Sequence, residues 1–267
     1  MMARAAGPLS GMAILVTRPE EQAGALCRLI QDEGGEAVEF PTILIQPPRH
    51  EQPLAAAVLD LATADLAIFA SANAVRFAMA AVRSRNEWPA ELPAFAVGPA
   101  TAEALRAQGV ARVSAPESGA DSESLLRLPA FDRVNGMRVL IFAGEGGRTL
   151  LRDELVARGA TVVVIPCYRR LPVTAVPDAV RQSIADRRLA AVTLTSSEGA
   201  RNLYGALAGQ LGDAVRVLPH FVVHERIAAE ARLHGATDIV LAPGGDVALA
   251  AALVRRLSGT GVRETLH

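Results

Sequence analysis

The chain reads as α/β, as two similar doubly wound parallel-sheet domains. Three observations predict this. Short runs of Val, Ile, Leu and Ala alternate with longer stretches of helical spacing; strands that are apolar along their length are buried on both faces, as in parallel sheets covered by helical crossovers. The same plan occurs twice, at a spacing of 125 residues, pairing Gly11 with Gly136, Leu15 with Leu140, Gly34 with Gly159, Pro41 with Pro166, Pro47 with Pro172, Ser71 with Ser196 and Arg76 with Arg201. After a slip of one residue it continues from Val97 and Val223 to Gly109 and Gly235. Finally, 267 residues are enough for two domains of moderate size.

The elements follow in order. Ala13–Thr17 is the first strand. A helix follows from about Pro19, a residue suited to a first helical position, with Glu20 and Glu21 placed to meet the helix dipole. Gly34-Gly35 ends it, and Ala37–Phe40 is the next strand. Strand Leu66–Ala70 leads into a helix capped near Ser71 or Asn73. Strand Ala94–Val97, a helix through Ala100–Gln108 closed by Gly109, and strand Ala111–Ser114 complete the first half. The second half repeats it with strand Arg138–Phe142, a helix to Arg158, strands Val162–Cys167 and Ala191–Thr195, a helix, strand Phe221–Val223, a helix and strand Ile239–Leu241. Residues 1–10 read as a loose leader.

Composition excludes several classes. With 51% hydrophobic and 21% charged residues the chain is no disordered segment, collagen or coiled coil. A net charge of -1 gives no general pull toward nucleic acid or an anionic membrane, and the apolar runs fall far short of the ~18 residues of a membrane span. All 27 basic residues are arginine. Without lysine there is no Schiff base and no P-loop of the GKS or GKT type, so a bound anion must meet arginine, a hydroxyl or a backbone N–H. Cys27 and Cys167 are far apart and in no CxxC, which reads as free buried thiols in a reducing, cytoplasmic compartment.

In doubly wound sheets, ligands bind beyond the carboxyl ends of the strands. The residues there are Thr17-Arg18-Pro19, Ser71-Ala72-Asn73, Gly98-Pro99-Ala100-Thr101, Gly144 to Arg148, Ser196-Ser197-Glu198 and His224-Glu225-Arg226. Most are small or bear a hydroxyl or arginine, and helix N-termini bind carboxylates or phosphates through their free N–H groups. Gly144-Glu145-Gly146-Gly147 begins like a dinucleotide loop, but Thr149 stands where G-x-G-x-x-G needs its last glycine. The segment is either a tight turn or an anion loop with Arg148 at the helix start. His220 and His224 lie along a strand, ~13 Å apart at strand rise, and read as strand-edge histidines rather than a metal pair. Ser71 and Ser196 read as helix N-caps. Tyr168, followed by Arg169-Arg170, is either a domain-edge aromatic or a phenol that donates a proton.

These pieces together resemble the uroporphyrinogen-III synthase family. They are ILVTRP at 14–19, FASANAV at 69–75, VGPATAEAL at 97–105, GEGGRTLLRDELVARGATV at 144–162, CYRR at 167–170, TSSEG at 195–199 and VVHERIAAEA at 222–231. They stand in family order across nearly the whole chain. The resemblance implies two α/β domains joined by a two-segment extended linker: one of residues 1–43 with 174–267, the other of 44–173, with linkers near 42–48 and 168–173. Pro47 and Pro172 suit such extended segments, whereas the repeat alone would divide the chain near residue 130.

The resemblance further implies a cyclising hydro-lyase. Linear hydroxymethylbilane loses water and closes to uroporphyrinogen III with ring D inverted, in a cleft between the domains. The task is to hold a flexible polyanion with its two ends together, and it calls for no cofactor and no metal. Tyr168 matches the family's tyrosine and would act as general acid. Ser71, Ala72, Gly98, Thr101, Ser196, Ser197 and Glu198 would meet the substrate's carboxylates at helix starts, with Arg18, Arg148 and Arg226 adding charge. His224-Glu225-Arg226 departs from Gly98-Pro99-Ala100 of the first half. The partner implied is a small molecule, with no nucleic acid and no membrane, and the enzyme would be a cytoplasmic monomer in porphyrin and heme biosynthesis. Two other classes fit the residues: a non-catalytic tetrapyrrole- or anion-binding two-domain module, and a nucleotide-dependent enzyme using the 144–148 loop.

Overall fold

A computed structural model describes residues 7–85, 87–147 and 149–259. The chain forms two compact units, one running to Leu44 and resuming at Leu171, the other comprising Ile45–Arg170.

The elements in chain order are β1 (Ala13–Val16), α1 (Glu20–Asp32), β2 (Glu36–Glu39), β3 (Ile43–Gln46), α2 (Gln52–Leu59), β4 (Leu66–Phe69), α3 (Ala72–Arg83), β5 (Ala94–Ala96), α4 (Pro99–Ala107), β6 (Val113–Ser114) and α5 (Ser122–Leu126). There follow β7 (Arg138–Gly144), α6 (Leu150–Ala157), β8 (Thr161–Pro172), α7 (Asp178–Ala185), β9 (Leu189–Leu194), α8 (Ser197–Ala206), α9 (Gly209–Arg216), β10 (Pro219–Val222), α10 (Glu225–Leu233), β11 (Asp238–Leu241) and α11 (Gly245–Ser258).

The first unit carries a sheet of order β11-β10-β9-β1-β2, the second one of order β3-β8-β7-β4-β5-β6. Parallel pairing joins β1 to both β2 and β9, and β7 to β8 and β4. The strands at the centres, AILV in β1 and LAIF in β4, are buried throughout, as the all-apolar runs require. Each sheet has a core on both faces. In the first unit, Leu15, Phe40, Val192 and Leu203 fill one side, and Ile14, Leu26, Phe221 and Leu253 the other. In the second, Phe69 and Phe142 stack 4.8 Å apart on one side, while Phe95 and Phe131 meet at 4.9 Å on the other.

The repeat is visible in the backbone. Gly34 and Gly159 end equivalent helices at φ 84° and 86°, and Gly109 and Gly235 at 84° and 93°, a left-handed conformation that only glycine adopts without strain. The chain direction changes from one side of the sheet to the other between β1 and β9, and again between β7 and β4. Those two places are the topological switch points, where the carboxyl ends of adjacent strands leave a crevice.

Several expectations are corrected. The supposed leader is structural from Gly7 onward: Leu9 is 0% exposed and its N–H donates to the Glu33 carbonyl at 2.9 Å, while residues 1–6 lie outside the described residues. The strand expected over 162–167 runs on to Pro172, so Tyr168 is within it. β3 and the helices α2, α5, α7, α9 and α11 were not foreseen. α9 and α11 begin at Gly209 and Gly245, where glycine reads as a loop. His220 is no edge residue: β10 lies inside its sheet and the side chain is fully buried.

Candidate functional site

In the second unit the switch point is built around Tyr168. The β7–β8 register slips between Ala143 and Gly144, which sets Gly144 opposite Tyr168. Such an irregularity turns a side chain out of the regular pleat. The Tyr168 ring lies against the Gly144 Cα, so close that a Cβ there would stand 2.8 Å from the ring Cζ. Phe77 of α3 also stacks on it, with centroids 6.1 Å apart and planes 15° from parallel. The ring is thus packed against both residues, and Tyr168 is 5% exposed. The Tyr168 hydroxyl is 3.0 Å from Ser71 Oγ. Ser71 Oγ in turn accepts the Ala74 N–H at 3.2 Å, capping α3.

The surrounding loops are tied to this cluster. The Glu145 N–H donates to the Tyr168 carbonyl at 2.7 Å, and the Glu145 carboxylate accepts the backbone N–H of Arg49. Arg169 donates to Gln46 Oε1 at 3.1 Å. Cys167, buried next to Tyr168 in the chain, has its thiol pushed up to about 12 by burial, so it stays a protonated packing group.

The remaining expected positions fall out as follows. Ala72 opens α3 and is exposed. Gly98 is the N-cap of α4, and Thr101 is buried in that helix's first turn, its N–H on the Gly98 carbonyl. Arg148 lies outside the described residues.

In the first unit a threonine network closes the switch point. Thr17 Oγ1 donates to the Thr193 carbonyl at 2.7 Å, Thr193 Oγ1 to the Leu15 carbonyl at 3.0 Å, and Thr42 Oγ1 to the Thr17 carbonyl at 3.2 Å. Ser196 caps α8 by accepting the Gly199 N–H at 2.9 Å, as Ser71 caps α3. Ser197 Oγ reaches the Arg226 carbonyl at 3.5 Å, which brings the starts of α8 and α10 together. Glu198 is half-buried in the first turn of α8. The Arg226 side chain is exposed, and its backbone N–H is held by His224 Nδ1 at 3.0 Å. Arg18 is paired with Asp246 of α11 at 2.5 Å, so its charge is already answered inside its own unit.

Sequence reasoning missed Phe77 and the close approach of Gly144. It also missed a buried pair in the first unit: His220 Nδ1–H donates to the Leu218 carbonyl at 2.8 Å, leaving Nε2 to accept the Tyr204 hydroxyl at 2.6 Å. Burial lowers the imidazole pKa and raises that of the phenol, so the neutral pair is favoured.

Comparison with known proteins agrees with this architecture. The family model described as uroporphyrinogen-III synthase HemD matches residues 24–248. The uroporphyrinogen-III synthase of Escherichia coli is 34% identical over 241 residues, covering 88% of this chain and 96% of that protein. That of Synechococcus elongatus is 31% identical, covering 77% of this chain and 78% of its own. Among solved structures, a mutant uroporphyrinogen III synthase from Thermus thermophilus aligns with TM-score 0.59 at 18% identity, over 93% of this chain and 99% of that one. The uroporphyrinogen-III synthetase of Helicobacter pylori aligns at 0.60 with 14% identity, over 92% and 100%. At those identities the structural likeness speaks for the fold.

Proposed function

The chain belongs to the uroporphyrinogen-III synthase family and is a cyclising lyase of that kind; we propose that Tyr168 donates the proton that starts its reaction. The substrate is linear hydroxymethylbilane. The hydroxyl of its ring A hydroxymethyl group leaves as water once protonated, the methylene carbon staying on the ring, and the electron-poor azafulvene that results is attacked by ring D through that ring's substituted carbon. The spiro intermediate opens and recloses with ring D inverted, and the ring carbon that forms the last bond loses its hydrogen. Expelling hydroxide at neutral pH is the step that needs an acid, and a positioned side chain typically contributes about 10²–10⁴-fold.

The observation that carries this assignment is the Tyr168–Ser71 hydroxyl pair at 3.0 Å, at the switch-point crevice of the second unit. Of the chain's two tyrosines, Tyr204 is engaged with a buried histidine, which leaves Tyr168 for chemistry. The starts of α3 and α4 in that unit, and of α8 and α10 in the other, supply backbone N–H groups suited to acetate and propionate. The backbone N–H groups at Ser71, Ala72, Gly98, Ser196 and Ser197 and the exposed Arg226 side chain remain the donors assigned to the substrate; Arg18 would have to exchange Asp246 for it.

The test supplies fresh hydroxymethylbilane, oxidises the products and resolves isomers I and III. The unaltered chain yields III above the spontaneous I. Tyr168→Phe lowers the rate of III formation by about 10²-fold. An undiminished rate with folded Tyr168→Phe overturns the assignment. As a cytoplasmic monomer, also part of this proposal, the protein elutes in light-scattering chromatography at its chain mass of 28.0 kDa. The free, buried state of both cysteines supports the reducing compartment.

A further inference from the structure

We infer that Ser71 is a positioning residue for Tyr168, holding the phenol's proton outward and stabilising the phenolate once that proton has left. The inference rests on the reading of Tyr168 as the acid.

A hydroxyl has one proton to donate and two lone pairs. At Ser71 Oγ one lone pair is occupied by the Ala74 N–H at 3.2 Å, the cap of the 12-residue helix α3. The other close partner is the Tyr168 oxygen at 3.0 Å. Two arrangements are open to the pair. If Tyr168 donates to Ser71, its proton is committed to the protein. If Ser71 donates to Tyr168, the phenol proton is free to point at a substrate hydroxyl. Proton donation selects the second. The phenol O–H bond breaks and the proton joins the leaving hydroxyl. The C–O electron pair departs with water, and the negative charge remains on the Tyr168 oxygen. That oxygen then accepts a charge-assisted hydrogen bond from Ser71 O–H, and the positive end of α3 lies directly behind the serine. The phenolate recovers its proton from the pyrrole carbon that loses hydrogen at ring closure, so the cycle balances without another reactant.

The rest of the cluster suits this role. Phe77 stacks on the ring and Gly144 lies in close contact with its Cζ–Oη end, which hold the phenol oxygen near Ser71. The equivalent cap of the repeat, Ser196, has no tyrosine in this relation: the chain has only two, and the other is bound to His220.

The experiment is a double-mutant cycle on the full chain, with the isomer-resolved assay as readout. Ser71→Gly is the preferred variant, since glycine at an N-cap is tolerated far better than alanine. We expect Ser71→Gly to lower kcat about tenfold with KM changed less than about twofold, and Ser71→Thr to restore most of the rate. In a Tyr168→Phe background the same Ser71→Gly change moves the residual rate by less than about twofold, because the residue acts through the phenol. Equal losses in both backgrounds, or a loss confined to KM, overturn the inference and leave Tyr168 as acid intact. An undiminished Tyr168→Phe enzyme removes both.

Discussion

Gly144→Ala tests the geometry of the site with the smallest possible change. The added methyl carbon would stand 2.8 Å from Tyr168 Cζ and 3.1 Å from both Cε2 and the phenol oxygen. Carbon atoms in contact sit at about 3.5–4.0 Å, so the ring must retreat by roughly 0.7–1.2 Å. The ring also stacks on Phe77, and the Tyr168 backbone is held by the Glu145 N–H at 2.7 Å, so the shift falls on the phenol end nearest the new methyl. The phenol oxygen therefore leaves hydrogen-bonding distance of Ser71, now at 3.0 Å. Misplacement of a reacting group by about 1 Å costs about 10²-fold in rate. Overpacking of this kind also costs about 1–3 kcal/mol of stability, well within what a folded protein of this size withstands. The assay is isomer-resolved turnover, with thermal unfolding run beside it. The expected outcome is a folded protein whose III-isomer rate drops by one to two orders of magnitude, on the order given above. A folded Gly144→Ala enzyme with unchanged turnover would refute the claim that the close contact of Gly144 with Tyr168 sets the reacting geometry.

Two further predictions concern stability. Burial holds the native His220 pKa below its unfolded value of 6.5, so the unfolded chain binds more protons in the window beneath 6.5, and stability is lost as pH falls through it. Unfolding midpoints measured from about pH 7.5 to about 5.5 should decline for the unaltered chain, and His220→Leu should flatten that decline while lowering stability at every pH by leaving the Tyr204 hydroxyl unpaired; an unchanged slope would count against His220 as its source. Leu9→Ala should cost about 2–5 kcal/mol in denaturant titration, because this side chain is fully buried against the first unit's core; a change near zero would return residues 7–10 to the status of a leader.

Much of the fold was legible because its signals are local. Buried strands such as AILV and LAIF announce themselves as uninterrupted apolar runs, and Ser71 and Ser196 can be read as caps from the residues beside them. The helices that escaped notice start at local breakers: α11 opens on Gly245 after Gly244, α9 opens on Gly209 and α7 follows Pro177. Their helicity is set by the sheet faces they cover, which no local window contains. The site was legible in parts only. Tyr168 stood out as one of two tyrosines, but its partner Ser71 is 97 residues away in the chain. The role of Gly144 depends on a register slip between two strands, a property of the pairing and not of either segment. Arg18 looked free because Asp246, which neutralises it, belongs to one of the unforeseen helices.

The duplication raises a question that the residues themselves answer: why two halves of one plan do not carry two copies of the chemistry. Both switch points keep the capping serine and the helix start behind it, which is what binding carboxylates requires. They differ in what stands beside the serine. In the second unit it is a phenol packed against Phe77 and Gly144. In the first, the crevice is closed by Thr17, Thr42 and Thr193, whose hydroxyls all donate to backbone carbonyls. Those protons are committed to holding strands together, and an alcohol is a far weaker acid than a phenol. A linear tetrapyrrole carries carboxylates along its whole length but only one hydroxyl to expel. Anion-binding helix starts are useful in duplicate; an acid is useful once, and a second phenol would offer its proton where no bond is to be broken. With Tyr168 as the proposed acid, the repeat keeps in both halves the helix starts that suit carboxylates and differs in the hydroxyl groups that stand beside the capping serine.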